Sequence, residues 1–278
     1  MNKEFNEAFV EKYPESAIVL KHFQNATKAL PKWENMTKTN LLAFVKHLKG
    51  IMAQNSARTY AALVKSLLND YREEVIIPCK QYEEALKIKK VKSINTFLNE
   101  KEVLKIVRYE VKSPQERYVK NIFLIGCLTG ARHSDCISFN KGNIIGKHLI
   151  YMSEKTKSRI AVPLSSLAVR LIEELPLCKS VNEANYNIAI RKICKKINLA
   201  SDMKVYKAGE YIEGEKWKFI SSHTARRSFA TNLYLRGADL YSISKMMGHA
   251  DTTVTENYIC CGLREQSAKT LNFFKKFK

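Results

Sequence analysis

The stretch GHADTTVTENY (Gly248–Tyr258) sets a histidine nine residues before a tyrosine, and three other stretches share its supply of cations. TGARHSD places Arg132 just after a Thr-Gly break, SEKTKSRIAVPL carries Lys155 and Lys157, and HTARRSFATNL sets His223 and Arg226 three residues apart. On a helix that last spacing puts both side chains on one face. Taken singly, each stretch reads equally well as a solvated helix surface, a helix-linking turn or a hairpin tip. Taken together, two arginines, two histidines and a lysine could converge on one phosphate. Guanidinium groups meet phosphate oxygens bidentately and can hold them as charge shifts during reaction. A phosphodiester is itself an anion, so attack on it requires that charge to be screened. A phenol with its ordinary pKa near ~10 becomes a useful nucleophile once cations favour the phenolate or a base takes its proton. No carboxylate cluster or His/Cys/Asp set has metal-ligand spacing, so neither metal nor other cofactor is expected.

The elements that must position these residues divide along the chain. The first part reads as helices: FNEAFVEKY, TKTNLLAFVKHLKG and SARTYAALVKSLLNDYREE. In the last, Tyr60, Leu63, Val64, Leu67 and Leu68 repeat at helical spacing and predict one apolar face. Gly50 is placed to end its helix. The basic segment Leu86–Ile94 reads as a linker, with Asn95 or Thr96 capping the helix after it. Ile122–Leu128 is almost wholly apolar and predicts a buried helix. Alternation over residues 143–152, then RIAVPL, predicts a hairpin with a third strand. Helices resume from Ser166, residues 202–220 form an extended or hairpin excursion, and short helices close the pattern. Thr253 and Glu256 have capping-box spacing, predicting a helix from about Val254 with Tyr258 one turn in.

Charge narrows the class of partner. The 278 residues hold 47 Lys and Arg against 27 Asp and Glu, a net +20 at a pI near 9.6. Residues 1–95 contribute 16 − 10 = +6 and residues 96–278 contribute 31 − 17 = +14, so both parts are basic. A lysine-rich surface facing only water would satisfy this, but a polyanion, most simply nucleic acid, suits it better. The seven cysteines form no C-x-x-C pair, and an odd number argues against a disulfide framework, so they read as reduced packing residues. No apolar run approaches a membrane span and the first residues lack a signal peptide's apolar core. A cytoplasmic protein with no membrane partner is expected.

The order and spacing of these motifs resemble the tyrosine recombinase (phage integrase) family. Its pattern is an Arg in a T-G-x-R-x-x-E/D turn, a Lys in a β-hairpin, H-x-x-R on a helix, G-H, and a Tyr shortly after. The matching residues are Thr129-Gly130-Ala131-Arg132 with Asp135, Lys155, His223 and Arg226, Gly248-His249, and Tyr258. The resemblance covers about residues 96–278. It implies a mainly α fold with a small antiparallel β-sheet (α+β), with a helical, SAM-like core-binding DNA-binding domain over residues 1–90. A mixed catalytic domain with a C-terminal tail would occupy residues 91–278.

Carried over residue by residue, the resemblance makes Tyr258 the nucleophile on the scissile phosphate, forming a 3′-phosphotyrosyl link. Arg132 and Arg226 would clamp the non-bridging oxygens, and Lys155 would protonate the departing 5′-hydroxyl, with Lys157 left as the alternative. His223 would assist proton transfer involving the tyrosine, His249 would hydrogen-bond the phosphate, and Asp135 would support Arg132 from behind. The implied partners are double-stranded DNA with a specific recombination site and further copies of the chain in a synaptic tetramer, with accessory DNA-bending proteins. The implied setting is the nucleoid of a bacterium, or a phage or other mobile element. Integration, excision, inversion and dimer resolution all fit such an enzyme. A non-catalytic DNA-binding regulator and a type IB topoisomerase-like strand transferase are the alternatives. In the tail, Leu271, Phe273, Phe274 and Phe277 would pack either on their own domain or on a neighbouring protomer.

Overall fold

The computed structural model describes residues 3–91, 95–176, 181–207 and 210–262. Contacts divide the chain into two units, Met1–Ser93 with Tyr206–Tyr211, and Ile94–Val205 with Ile212–Lys278. The apolar tail read from the sequence lies outside the described residues.

The first unit is built from α1 (Phe5–Lys12), α2 (Ile18–Thr27), α3 (Lys38–Ile51), α4 (Gln54–Tyr71) and the short α5 (Tyr82–Ala85). On α4, Ala57, Ala61, Val64, Leu67 and Leu68 are buried, while Tyr60 and Leu63 pack at the edge of the same core. Thr37 caps α3 by accepting from the Asn40 amide, and the helix runs one residue beyond Gly50, to Ile51. The stretch read as a linker begins inside this unit: Leu86 and Ile88 are buried in its core. Asn55 then exchanges two hydrogen bonds with the backbone of Val91, and Gln54 donates to the Lys89 carbonyl. Apolar side chains spaced two apart among lysines gave this stretch strand-like burial, which its lack of helical periodicity concealed.

The second unit opens with α6 (Glu100–Arg108), capped not by Asn95 or Thr96 but by Asn99 in a reciprocal box with Glu102. Thr96 is instead buried, and Leu98 is tied to a later helix through Ser228 and Asn232. Next come α7 (Pro114–Thr129), α8 (His133–Cys136), β1 (Ile144–Ile145), β2 (His148–Met152), β3 (Arg159–Pro163), α9 (Ser166–Glu173) and α10 (Glu183–Lys196). Strands β4 (Asp202–Lys207) and β5 (Glu210–Glu215), which pair with each other and whose residues Tyr206–Tyr211 group with the first unit, precede α11 (Ser222–Leu235), α12 (Leu240–Met247) and α13 (Thr252–Glu256) in the chain. The apolar helix expected over Ile122–Leu128 is the C-terminal half of α7, the axis of the core, on which α9, α10 and α11 pack. Strands β1, β2 and β3 form an antiparallel sheet in that order. Its register sets Leu149 opposite Val162 and Tyr151 opposite Ile160, all four buried on one face.

Candidate active site

Two glycines bring distant stretches into contact. Gly130 ends α7 at φ +69°, and a Cβ there would lie 2.4 Å from the Phe229 ring of α11. Gly248 ends α12 at φ +64°, with Ile160 of β3 equally close. Only a residue without a side chain satisfies both the left-handed backbone and the close approach. The chain therefore leaves α7 with Gly130 against α11, two residues before Arg132, and leaves α12 with Gly248 against β3, one residue before His249.

The six side chains singled out by motif, Arg132, Lys155, His223, Arg226, His249 and Tyr258, all line one cleft of about 510 Å³ in the second unit. Lys157 is not among its lining residues; it sits further round the β2–β3 turn in a left-handed conformation. Arg132, the residue before α8, is half-buried and donates from Nη1 to Ser153 Oγ at 3.0 Å. Ser153 in turn reaches Asp135 Oδ2 at 3.5 Å, and Asp135 Oδ1 accepts from the Glu154 amide at 2.9 Å. Asp135 thus supports Arg132 through Ser153, and the same carboxylate fastens the turn that carries Lys155.

Arg226 is only 1% exposed, and its guanidinium is held on several sides. Nη1 donates to the Gly130 carbonyl; Nη2 donates to the Met247 carbonyl and to His249 Nε2, the latter at 2.7 Å. The carbonyls come from the ends of α7 and α12, where the last turn leaves them without helical partners. Burial first, and then the nearby Arg132, lower the Arg226 pKa, while Tyr258 and Tyr151 oppose the shift. His249 is 6% exposed, and burial together with Arg226 and Arg132 pushes its pKa down to about 4. Its imidazole is therefore neutral at pH 7. His223 is exposed on the cleft, and its pKa is lowered first by desolvation, then by Arg227, with Glu183 opposing.

Tyr258 is half-buried, with the Arg226 guanidinium 5.3 Å from its ring centroid and the His249 ring 5.2 Å away, tilted by 30°. It does not lie one turn into a helix starting at Val254. Asp251 accepts from the Thr253 amide at 2.9 Å, so α13 starts at Thr252 and ends at Glu256, two residues short of the tyrosine. A carboxylate two residues before that amide captured it, and the Thr253–Glu256 box never forms. The turn holding Tyr258 is pinned instead by threonines. The Tyr258 amide donates to the Thr255 carbonyl at 2.8 Å. Thr231 Oγ1 of α11 donates to the Tyr258 carbonyl at 3.2 Å and accepts from the Cys260 amide at 3.0 Å. Burial, the largest influence, pushes the Cys260 thiol up to about 11, consistent with a packing role.

The motifs did not identify Ser153, Thr231 or Thr255, nor Glu183, which lines the cleft and accepts from Ser222 Oγ. A lone Ser, Thr or Glu in a helix or turn leaves no spacing signal, because its partner comes from a different element. Among the described residues no cluster of three or more His, Cys, Asp or Glu has the arrangement of a metal site. The cleft presents a phenol ringed by cationic and imidazole groups, suited to holding a phosphodiester while an oxygen attacks phosphorus.

A family model described as "Phage integrase family" matches residues 96–261. The tyrosine recombinase XerD of Oceanobacillus iheyensis is 27% identical over 242 residues, covering 81% of this chain and 78% of that protein. Two solved structures share the fold. One is the XerH site-specific recombinase bound to a palindromic difH substrate (TM-score 0.64, 15% identity, 94% of this chain and 77% of that one). The other is a lambda integrase(75-356) dimer bound to a COC′ core site (TM-score 0.62, 17% identity, 91% and 94%). With the match spanning more than half of its length, this chain belongs to the phage integrase family, the tyrosine recombinases.

Proposed function

We propose that this chain is a site-specific DNA recombinase that cleaves and rejoins strands through a 3′-phosphotyrosyl link on Tyr258. The observation that carries this reading is the convergence of all six motif residues, from Arg132 to Tyr258, on one cleft. The Tyr258 oxygen attacks phosphorus as the bond to the 5′-oxygen breaks, so one phosphodiester is exchanged for another and the bond energy is retained. Arg132 and Arg226 neutralise the non-bridging oxygens, and their fixed positions mean little reorganisation as charge develops. Lys155, on the exposed turn lining the cleft, delivers a proton to the 5′-oxygen. His223, neutral at pH 7 because of its lowered pKa, is in the right state to accept a proton from the phenol. A 5′-hydroxyl from a second duplex then attacks the phosphotyrosyl bond by the reverse route.

The substrate in this reading is duplex DNA carrying a specific site, and strand exchange takes place within a tetramer of this chain, with accessory DNA-bending proteins aiding assembly. Residues 1–90 serve as the core-binding domain and residues 91–278 as the catalytic domain. Such an enzyme works at the nucleoid, in the cytoplasm. The test is covalent capture from a pool of nicked duplexes with randomised sites, followed by sequencing of the trapped DNA. The native chain should form an adduct on a recurrent sequence. Tyr258→Phe should bind the same DNA without forming one. An undiminished adduct in that variant would sink the nucleophile assignment, and adducts that never exchange strands between two duplexes would favour a topoisomerase-like enzyme.

A further inference from the structure

The hydrogen bonds around His249 fix where its proton sits. A guanidinium has five N–H donors and no acceptor. His249 Nε2, 2.7 Å from Arg226 Nη2, must therefore be the acceptor of that bond. A neutral imidazole then carries its proton on Nδ1, which lies 2.9 Å from Thr255 Oγ1. Thr255 is 0% exposed, so its hydroxyl is the near oxygen to which that N–H points without competition from bulk water. The same residue, through its carbonyl, accepts the amide of Tyr258. One threonine thus touches the histidine with its side chain and the proposed nucleophile with its backbone.

We propose that Thr255 is a positioning residue that seats the His249 ring through Nδ1–H, so that Nε2 faces Arg226 and His249 serves as an acceptor clamp on that guanidinium in the resting site. In that state neither ring nitrogen can donate to a phosphate: Nδ1–H is spent inward on Thr255, and Nε2 is spent on Arg226. The low pKa of the ring reinforces this, since a second proton on Nε2 is disfavoured at pH 7. His249 acts by aiming the guanidinium, and becomes a phosphate donor only if Arg226 lets go and a proton arrives on Nε2. The tautomer assignment stands on geometry alone; its effect on strand cleavage rests on the recombinase reading above.

The experiment uses the full chain labelled with ¹⁵N-histidine, together with Thr255→Ser and Thr255→Val. Two-bond ¹H–¹⁵N spectra at pH 7 should show His249 with a protonated Nδ1 and a bare Nε2 in the native chain and in Thr255→Ser. Thr255→Val, which keeps the shape but removes the acceptor that seats Nδ1–H, should let the ring turn away from Arg226 and so lose that pattern. It should also slow adduct formation by roughly tenfold or more, with little change in DNA affinity, whereas Thr255→Ser should stay near the native rate. A protonated Nε2 in the native spectrum would overturn the proposal. So would a Thr255→Val chain with native tautomer and rate, or one that is slowed while the native tautomer persists. If Thr255→Val does not fold, the native and Thr255→Ser spectra still decide the tautomer. A native chain that shows the expected tautomer yet never forms an adduct would sink the recombinase reading and leave the tautomer assignment standing.

Discussion

At the scale of single residues, the cleft shows how burial changes the part a side chain can play. Arg226 would suffice as an exposed charge for binding a phosphate loosely, but buried and hydrogen-bonded it cannot rotate away, and its geometry is set before any ligand arrives. His249 beside it is held neutral for the same reason. Its pKa falls from an ordinary 6.5 to about 4, and those of His22, His133 and His223 are also lowered, with desolvation the largest cause in each. The unfolded chain therefore binds protons more readily than the folded one below pH 6.5. The stability associated with neutral histidines is fully present above that pH and is lost as pH falls from about 6.5 through about 4. A series of melting temperatures should decline across that window. Melting temperatures that rise on acidification would contradict the buried, neutral state of these rings.

At the scale of elements, helix ends place most of the site. Arg132 follows the end of α7, His249 follows the end of α12, and Arg226 stitches the two ends together through their free carbonyls. The junction at α12 depends on Gly248, whose left-handed backbone and 2.4 Å approach to Ile160 leave no room for a methyl group. Gly248→Ala combines backbone strain with a clash and should cost about 2–4 kcal/mol. Gly146, in the β1–β2 turn, has φ +59° and nothing within 4 Å of an added Cβ, so Gly146→Ala meets strain alone, about 1–2 kcal/mol. Denaturant titration should rank the two in that order, and only Gly248→Ala should also depress cleavage, because it displaces His249. Equal losses of stability would mean that the contact with Ile160 gives way easily.

At the scale of the whole molecule, the relevant quantity is the net charge of +20, carried by both parts of the sequence. The cleft itself is too small to employ more than a few of those cations, so most must act elsewhere on the surface. For a chain that lies along duplex DNA, each neutralised phosphate releases counterions, and log K falls against log salt with a slope of about −0.9 per contact. A slope of about −5 or steeper is expected, corresponding to roughly six or more phosphate contacts. It should be little changed in Tyr258→Phe, whose lost hydroxyl carries no charge. A slope near zero would count against an extended DNA footprint.

The sequence by itself determined the family and much of the architecture, and it singled out the side chains proposed for the chemistry. Five motifs in order named six residues that share the lining of one cleft, and periodicity found α4, the buried α7 and the sheet, because those signals are local or repeat at a fixed spacing. It misjudged features that depend on competition between neighbours. Asp251 displaced Thr253 as a cap, Asn99 displaced Asn95 and Thr96, and Leu86 and Ile88 joined a core where a linker was expected. Only the tertiary structure decided that Ser153 links Arg132 to Asp135, that Thr231 pins the Tyr258 turn, and that His249 lies between Arg226 and Thr255. A hydrogen bond between residues far apart in the chain leaves no trace in spacing. Its direction is settled only when both partners are in place and water is excluded.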